Sequence, residues 1–140
     1  MPTANAVLFC WDSTYSVNIG VIDTQHKTLV TMINDLHQAM AKGSGKEKLG
    51  GILSNLIKYT RAHFATEETL MQTHGYPGFL AQKSEHESLT KTVLDLQSRF
   101  LSNQVGLSIE VMDFLKDWLV KHILGSDKKY TSFLNAKGVR

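Results

Sequence analysis

Six histidines stand in this 140-residue chain, and four of them interrupt apolar runs of helical spacing. These are His26, His63, His86 and His122; Glu67 follows His63 by four positions, and Gln82 precedes His86 by four. Four residues of α-helix turn through about 400° and rise about 6 Å, so His63 and Glu67 project from one face within reach of a common ion. A charged carboxylate in such a stripe costs several kcal/mol unless it is paired or binds a metal. One histidine on an apolar face is an ordinary core residue. Polar, metal-competent side chains in four separate stripes read together as a ligand set. Imidazole nitrogen with carboxylate oxygen suits iron or manganese better than structural zinc, which is commonly four-coordinate and cysteine-rich. Iron is the expected metal.

Four amphipathic helices must position these residues. From about Asp23 the apolar period is helical, with His26, Leu29, Val30, Ile33, Leu36, His37 and Met40 on one face before Gly43-Ser44-Gly45 ends it. A second stripe, Ile52, Leu56, Tyr59, Thr60, His63, Glu67, Leu70 and Met71, spans Lys46 to His74 and stops at Gly75-Tyr76-Pro77-Gly78. Phe79, Gln82, His86, Leu89, Val93, Leu96 and Phe100 form a third stripe reaching Asn103. The fourth, Leu107, Val111, Leu115, Trp118 and His122, runs to Gly125. Short connections favour antiparallel neighbours. The expected fold is all-α, an antiparallel up-down-up-down four-helix bundle, with an extended N-terminal arm on which Trp11, Tyr15, Val17 and Ile19 share one parity. A short C-terminal helix around Tyr130 to Asn135 should close it.

His122 and Asp127 are five apart, about 500° on a continuous helix, so they face different ways unless the helix breaks or bulges between them. Gly125 makes such a break inexpensive. Two readings of Asp127 stand side by side: a partner of His122, or an N-cap of the last short helix beside Ser126. Asp23 is expected as an N-cap, or as an acceptor for a ligand imidazole. His74 reads as a helix C-terminal residue, and His37, about 16 Å along the axis from His26, as a bundle-end histidine.

Size and composition fit this plan. We read residues 1–140 as one domain, since a chain this long buries one substantial core. Fifteen Lys and Arg against 13 Asp and Glu scatter without forming a stripe, which gives no footprint for nucleic acid. Cys10 is the lone cysteine, so the fold does not depend on an oxidising compartment. No apolar run approaches the roughly 20 residues of a membrane span, and the start lacks a secretory signal pattern. A cytoplasmic protein without membrane contact is expected; a parent receptor or a redox partner stays open.

The stretches WDSTYSVNIGVIDTQH, HFATEETLM, YPGFLAQKSEHESL and FLKDWLVKHILGSDKKY carry a closer likeness. Over nearly its whole length the chain resembles the bacterial hemerythrins, whose helices carry in order His, His-x-x-x-Glu, His-x-x-x-His and His-x-x-x-x-Asp. The resemblance implies that His26 and His63 bind one iron and His86 and His122 a second. It further implies that Glu67 and Asp127 bridge the pair, together with an oxo or hydroxo group. Dioxygen would bind at the iron with fewer histidines. Trp118 and Ile123 would line its pocket, with plain core packing as an equal alternative.

Gln82 departs from the family pattern, standing where the first histidine of His-x-x-x-His belongs. Its amide oxygen is neutral and a weaker donor than imidazole, so it would ligate loosely, hold a water, or only point at the metal. Weaker iron retention on that side and faster autoxidation would follow. A dioxygen-binding protein for storage, delivery or sensing is the favoured function. A di-iron oxidase, peroxidase or nitric-oxide reductase is the alternative, which the open position at Gln82 favours and the absence of Glu-x-x-His pairs opposes. A metal-poor interaction module would leave Glu67 and the histidines buried without purpose.

Overall fold

The computed structural model describes residues 9–103 and 109–140, the side chains of Ile109, Glu110, Ser126 and Asp127 being outside that description. Four long helices and one short one carry the chain: α1 (Gly20–Ala41), α2 (Lys46–Thr73), α3 (Phe79–Leu101), α4 (Ile109–Lys121) and α5 (Lys128–Ala136). They form the expected four-helix bundle. In it α1 packs on α2, α2 on α3, and α4 against α1. Leu107, expected at the head of the fourth stripe, lies outside the described residues.

The buried residues of α2 show how pattern becomes packing. Leu49, Leu53, Leu56, Thr60, His63, Glu67 and Met71 are all buried, at steps of four and three that keep one face on the bundle axis. Opposite them α1 buries Ile22, His26, Leu29, Val30, Ile33 and Leu36. Fully burying one such aliphatic side chain contributes about 1.5–3 kcal/mol. The core divides in two. A long cluster runs from Ala39 and Leu49 through Ile33 and Leu53 to Phe64, Leu119 and Ile123. A smaller one, built on Val17, Ile19, Ile22, Met71, Tyr130 and Leu134, lies where α5 closes the bundle. The polar side chains sit among these apolar ones.

Helix α2 stops through its backbone. Gly75 takes φ 68°, and the Tyr76 N–H returns to the Met71 carbonyl at 2.8 Å while the Gly75 N–H reaches that of Gln72 at 3.2 Å. This pair of bonds satisfies two of the orphan carbonyls that end any helix and needs the left-handed backbone that glycine adopts without strain. His74 is the C-cap residue, as its position suggested.

Two expectations need correction. The arm is not extended throughout: Asp12 accepts from the Thr14 N–H at 2.8 Å and folds Ser13–Tyr15 into a single 3-10 turn. Phe9 ties the arm to α1, exchanging two backbone hydrogen bonds with the Asn34 side chain at 3.0 and 2.7 Å. Secondly, Asp23 is not an N-cap. The helix starts at Gly20, with Ile19 at the cap, and the Asp23 carboxylate reaches back to the Val17 N–H at 2.8 Å and the Ser16 hydroxyl at 2.5 Å. A carboxylate in the first turn still suits the positive end of the helix dipole, but its hydrogen bonds serve the arm.

Candidate metal centre

Glu67 lies at the middle of the polar cluster. Its Oε1 is 2.8 Å from His63 Nε2, 3.0 Å from His122 Nε2 and 3.6 Å from His86 Nε2. His26, His63, Glu67 and His122 each offer one donor atom within 4.8 Å of all the others. All four are buried, as is His86, at 2% exposure or less. Helices α1, α2 and α3 and the segment after α4 thus deliver their polar residues to one place.

The outer edges of two imidazoles decide what their inner nitrogens present. Thr66 donates its hydroxyl to the Ala62 carbonyl at 3.1 Å, so it meets the Gln25 amide at 3.3 Å as an acceptor for Nε2. Gln25 Oε1 therefore faces His63, 2.7 Å from Nδ1. His63 Nδ1 carries the proton, and Nε2 aims a lone pair inward. Glu68 Oε2 lies 2.8 Å from His86 Nδ1 and imposes the same tautomer there. His86 Nε2 is buried with no hydrogen-bond partner among the described residues. Imidazole lone pairs directed at a carboxylate repel it unless a cation lies among them, and outward N–H bonds of this kind are what orient metal-binding histidines. Imidazole nitrogen and carboxylate oxygen without a thiolate fit iron; Cys10 is exposed.

On the other side of the carboxylate, Tyr130 donates its hydroxyl proton to Glu67 Oε2 at 2.5 Å. The sequence does not point to this residue as part of the site, nor to Gln25, Thr66 or Glu68. Available signals were the position of Gln25 beside His26, of Glu68 beside Glu67, and a tyrosine on the apolar face of a short helix, where its polar tip needs a partner.

The break expected after His122 is a π turn covering His122–Asp127. Hydrogen bonds from i to i+5 absorb one residue relative to the α pattern, and such bulges gather at functional sites. On a continuous α-helix Tyr130 and Leu134 would stand about 80° and 120° from His122; absorbing one residue brings both within about 20°. His122, Tyr130 and Leu134 are all buried, at 1%, 1% and 0% exposure. The backbone of Asp127 ends this turn, and its side chain lies outside the described residues. The cap reading for it loses its basis, because π turn and α5 follow one another without an intervening loop.

Gln82 is buried one turn before His86 on α3, at 4% exposure. Trp118 and Ile123 belong to the main core cluster. Phe64 stacks on His86 with centroids 4.0 Å apart and planes 2° apart and lies 4.9 Å from His122. Trp118 meets Phe64 at 6.4 Å, one layer further out, and its indole N–H is buried without a hydrogen-bond partner among the described residues. Trp11, from the arm, comes within 6.5 Å of His26. His37 stays half-buried on α1, eleven positions from His26 and outside the cluster.

Comparison with known proteins agrees with this geometry. The hemerythrin HHE cation binding domain matches residues 17–134. A bacteriohemerythrin of Methylococcus capsulatus is 40% identical over 130 residues, covering 92% of this chain and 98% of that protein. One of Stenotrophomonas maltophilia is 35% identical, covering 92% and 83%. The crystal structure of a wild-type hemerythrin superimposes with a TM-score of 0.84 at 39% identity, over 91% of this chain and 98% of that one. Sequence and backbone agree over nine-tenths of the chain's length, and the chain belongs to the hemerythrin family.

Proposed function

We propose that the chain is a non-haem di-iron protein that binds dioxygen reversibly, and that residues 1–140 act as one functional domain. The observation that carries this reading is the surround of Glu67 Oε1: three imidazole Nε2 atoms at 2.8 to 3.6 Å, two of them with their outer nitrogens held by Gln25 and Glu68. By the family pattern, His26 and His63 hold one iron and His86 and His122 the other. Glu67 and Asp127 would serve both, and Gln82 would lie on the side of the second. Bound iron supplies the reversible electron donation that dioxygen binding requires.

The chain's own side chains do the rest. Gln25 and Glu68 fix the tautomers of His63 and His86, so that each ring presents its Nε2 lone pair to the centre. Tyr130 holds Glu67 by its outer oxygen and leaves Oε1 to the centre. Phe64, Leu119 and Ile123, all buried, keep bulk water from the cluster, with Trp118 behind Phe64. Excluding water protects a bound gas from proton-driven loss and strengthens every electrostatic contact inside. Binding, and not oxidation of a separate substrate, is the activity that the hemerythrin relatives favour.

Iron content per chain and the visible spectrum of reduced protein, before and after air, test the reading. Two irons per chain and a band that appears with oxygen and disappears on its removal are expected. The Gln82→His variant, measured beside it, should hold the oxygenated form longer. A chain that takes up no iron in either version would sink the di-iron assignment.

A further inference from the structure

The donor set of this centre is unequal, and the inequality coincides with a path to solvent. Between α2 and α3 runs an open groove of about 670 Å³, lined among others by Arg61, Glu68, His86, Glu87, Lys91 and Asp95. Among the described residues, His86 is the one candidate ligand that reaches its wall. His26, His63, Glu67 and His122 close on one another, whereas His86 Nε2 stands 3.6 Å from Glu67 Oε1, outside that tight group.

We infer that the ion on the His86 side enters and leaves through this groove while the ion on the His26–His63 side is retained, so that the two metal positions exchange independently. This rests on the di-iron reading above. Three further features of the chain support it. The outward anchors differ: His63 is tied through Gln25 and Thr66 to a carbonyl of α2, but His86 is tied to Glu68, whose side chain is 25% exposed and can follow the ring toward solvent. His86 Nε2 is buried and lacks a hydrogen-bond partner among the described residues, so once its bond to the ion breaks the ring gives up no inner hydrogen bond by swinging. Finally, Gln82, one turn before His86, supplies a neutral amide where an imidazole would have doubled the hold of α3 on that ion. At the mouth, Glu68, Glu87 and Asp95 outnumber Arg61 and Lys91, and carboxylate oxygens suit the approach of a hydrated divalent cation.

The test is a chelator challenge of ferrous-loaded protein without oxygen, using ferrozine and following its coloured iron complex. Two phases are expected, one iron per chain released at least tenfold faster than the other. Adding cobalt(II) to protein stopped between the phases should then fill one position per chain, read by metal analysis. Gln82→His should slow the fast phase at least tenfold and leave the slow one unchanged. Ala65→Trp, at an exposed position on the groove wall, should slow the fast phase several-fold without altering the iron content. Release of both irons in a single phase would overturn the inference and leave the di-iron reading standing. A fast phase untouched by Ala65→Trp would overturn the groove as the route. A chain that never holds a second iron would overturn both the inference and the di-iron reading.

Discussion

Tyr130 and His122 face the two oxygens of the same carboxylate, the Tyr130 hydroxyl at 2.5 Å from Glu67 Oε2 and His122 Nε2 at 3.0 Å from Oε1. The two residues lie on either side of the π turn, so the position of Glu67 is set jointly by α2 and by the phase of the chain between α4 and α5. Several measurable consequences come from that arrangement and from the groups around it.

Replacing Tyr130 with Phe keeps the ring in its apolar cluster and removes one hydrogen bond to a buried carboxylate. Stability should fall by about 1.5–3 kcal/mol, the usual worth of a bond to a charged group. Urea unfolding of metal-free and iron-loaded protein measures it, and an unchanged midpoint in both would show that the contact contributes nothing.

If the carboxylate is held for the metal and not for the fold, its removal together with that of its hydroxyl partner should not weaken the metal-free protein. Glu67→Leu combined with Tyr130→Phe removes a buried charge and its hydroxyl partner together, leaving neutral imidazoles behind. Metal-free stability is expected to hold or to rise by about 1–4 kcal/mol, while iron binding is abolished. A loss of stability in the metal-free double variant, seen by thermal unfolding, would contradict this division of labour.

Gln25→Leu leaves His63 Nδ1 without its acceptor and frees the tautomer. Affinity for iron should drop about 10- to 100-fold, the usual effect of losing an outer partner of a metal-binding histidine. Gln25→Glu retains the acceptor and should stay within a few-fold of the parent. Competition with a chelator of known affinity ranks the three proteins; equal affinity of all three would remove Gln25 from the site.

Leu53→Ala opens a cavity in the long core cluster, where Leu53 is fully buried. It should cost about 2–5 kcal/mol of stability and leave iron content unchanged, because Leu53 lies ten positions from His63 on α2, about 15 Å along the axis. Iron loss in a variant that remains folded would show that the core and the centre are coupled.

Much of this molecule was legible in its residues. The four stripes predict the helices because burial at steps of three and four leaves a mark that no surface segment shares, and the polar residues within them stand out because they break that mark. His122 and Asp127 even announce a fault in the helix between them. What stayed hidden is the outer layer. Gln25, Thr66 and Glu68 are polar residues on helices, and from sequence they look like solvated surface; only the fold shows that they meet His63 and His86. Asp23 was misread because its partners lie in the arm, whose 3-10 turn follows from one Asp12 side-chain bond. Phe64, next to His63 in the chain, carries no polar atom to single it out, yet it stacks on His86, whereas Trp118 packs against Phe64 one layer out.

The π turn at His122–Asp127 makes the number of residues, more than their kind, the quantity that specifies this end of the centre. Deleting one residue there, such as Gly125, would restore an unbroken α-helix while every flanking segment kept the face it now presents, so the apolar pattern would not register the loss. The bundle would assemble with Tyr130 and Leu134 still turned inward, and the backbone of Asp127 would be drawn one residue nearer to His122. The extra residue thus leaves no mark in the apolar pattern that shapes the bundle and shows only in the count of residues between His122 and Asp127.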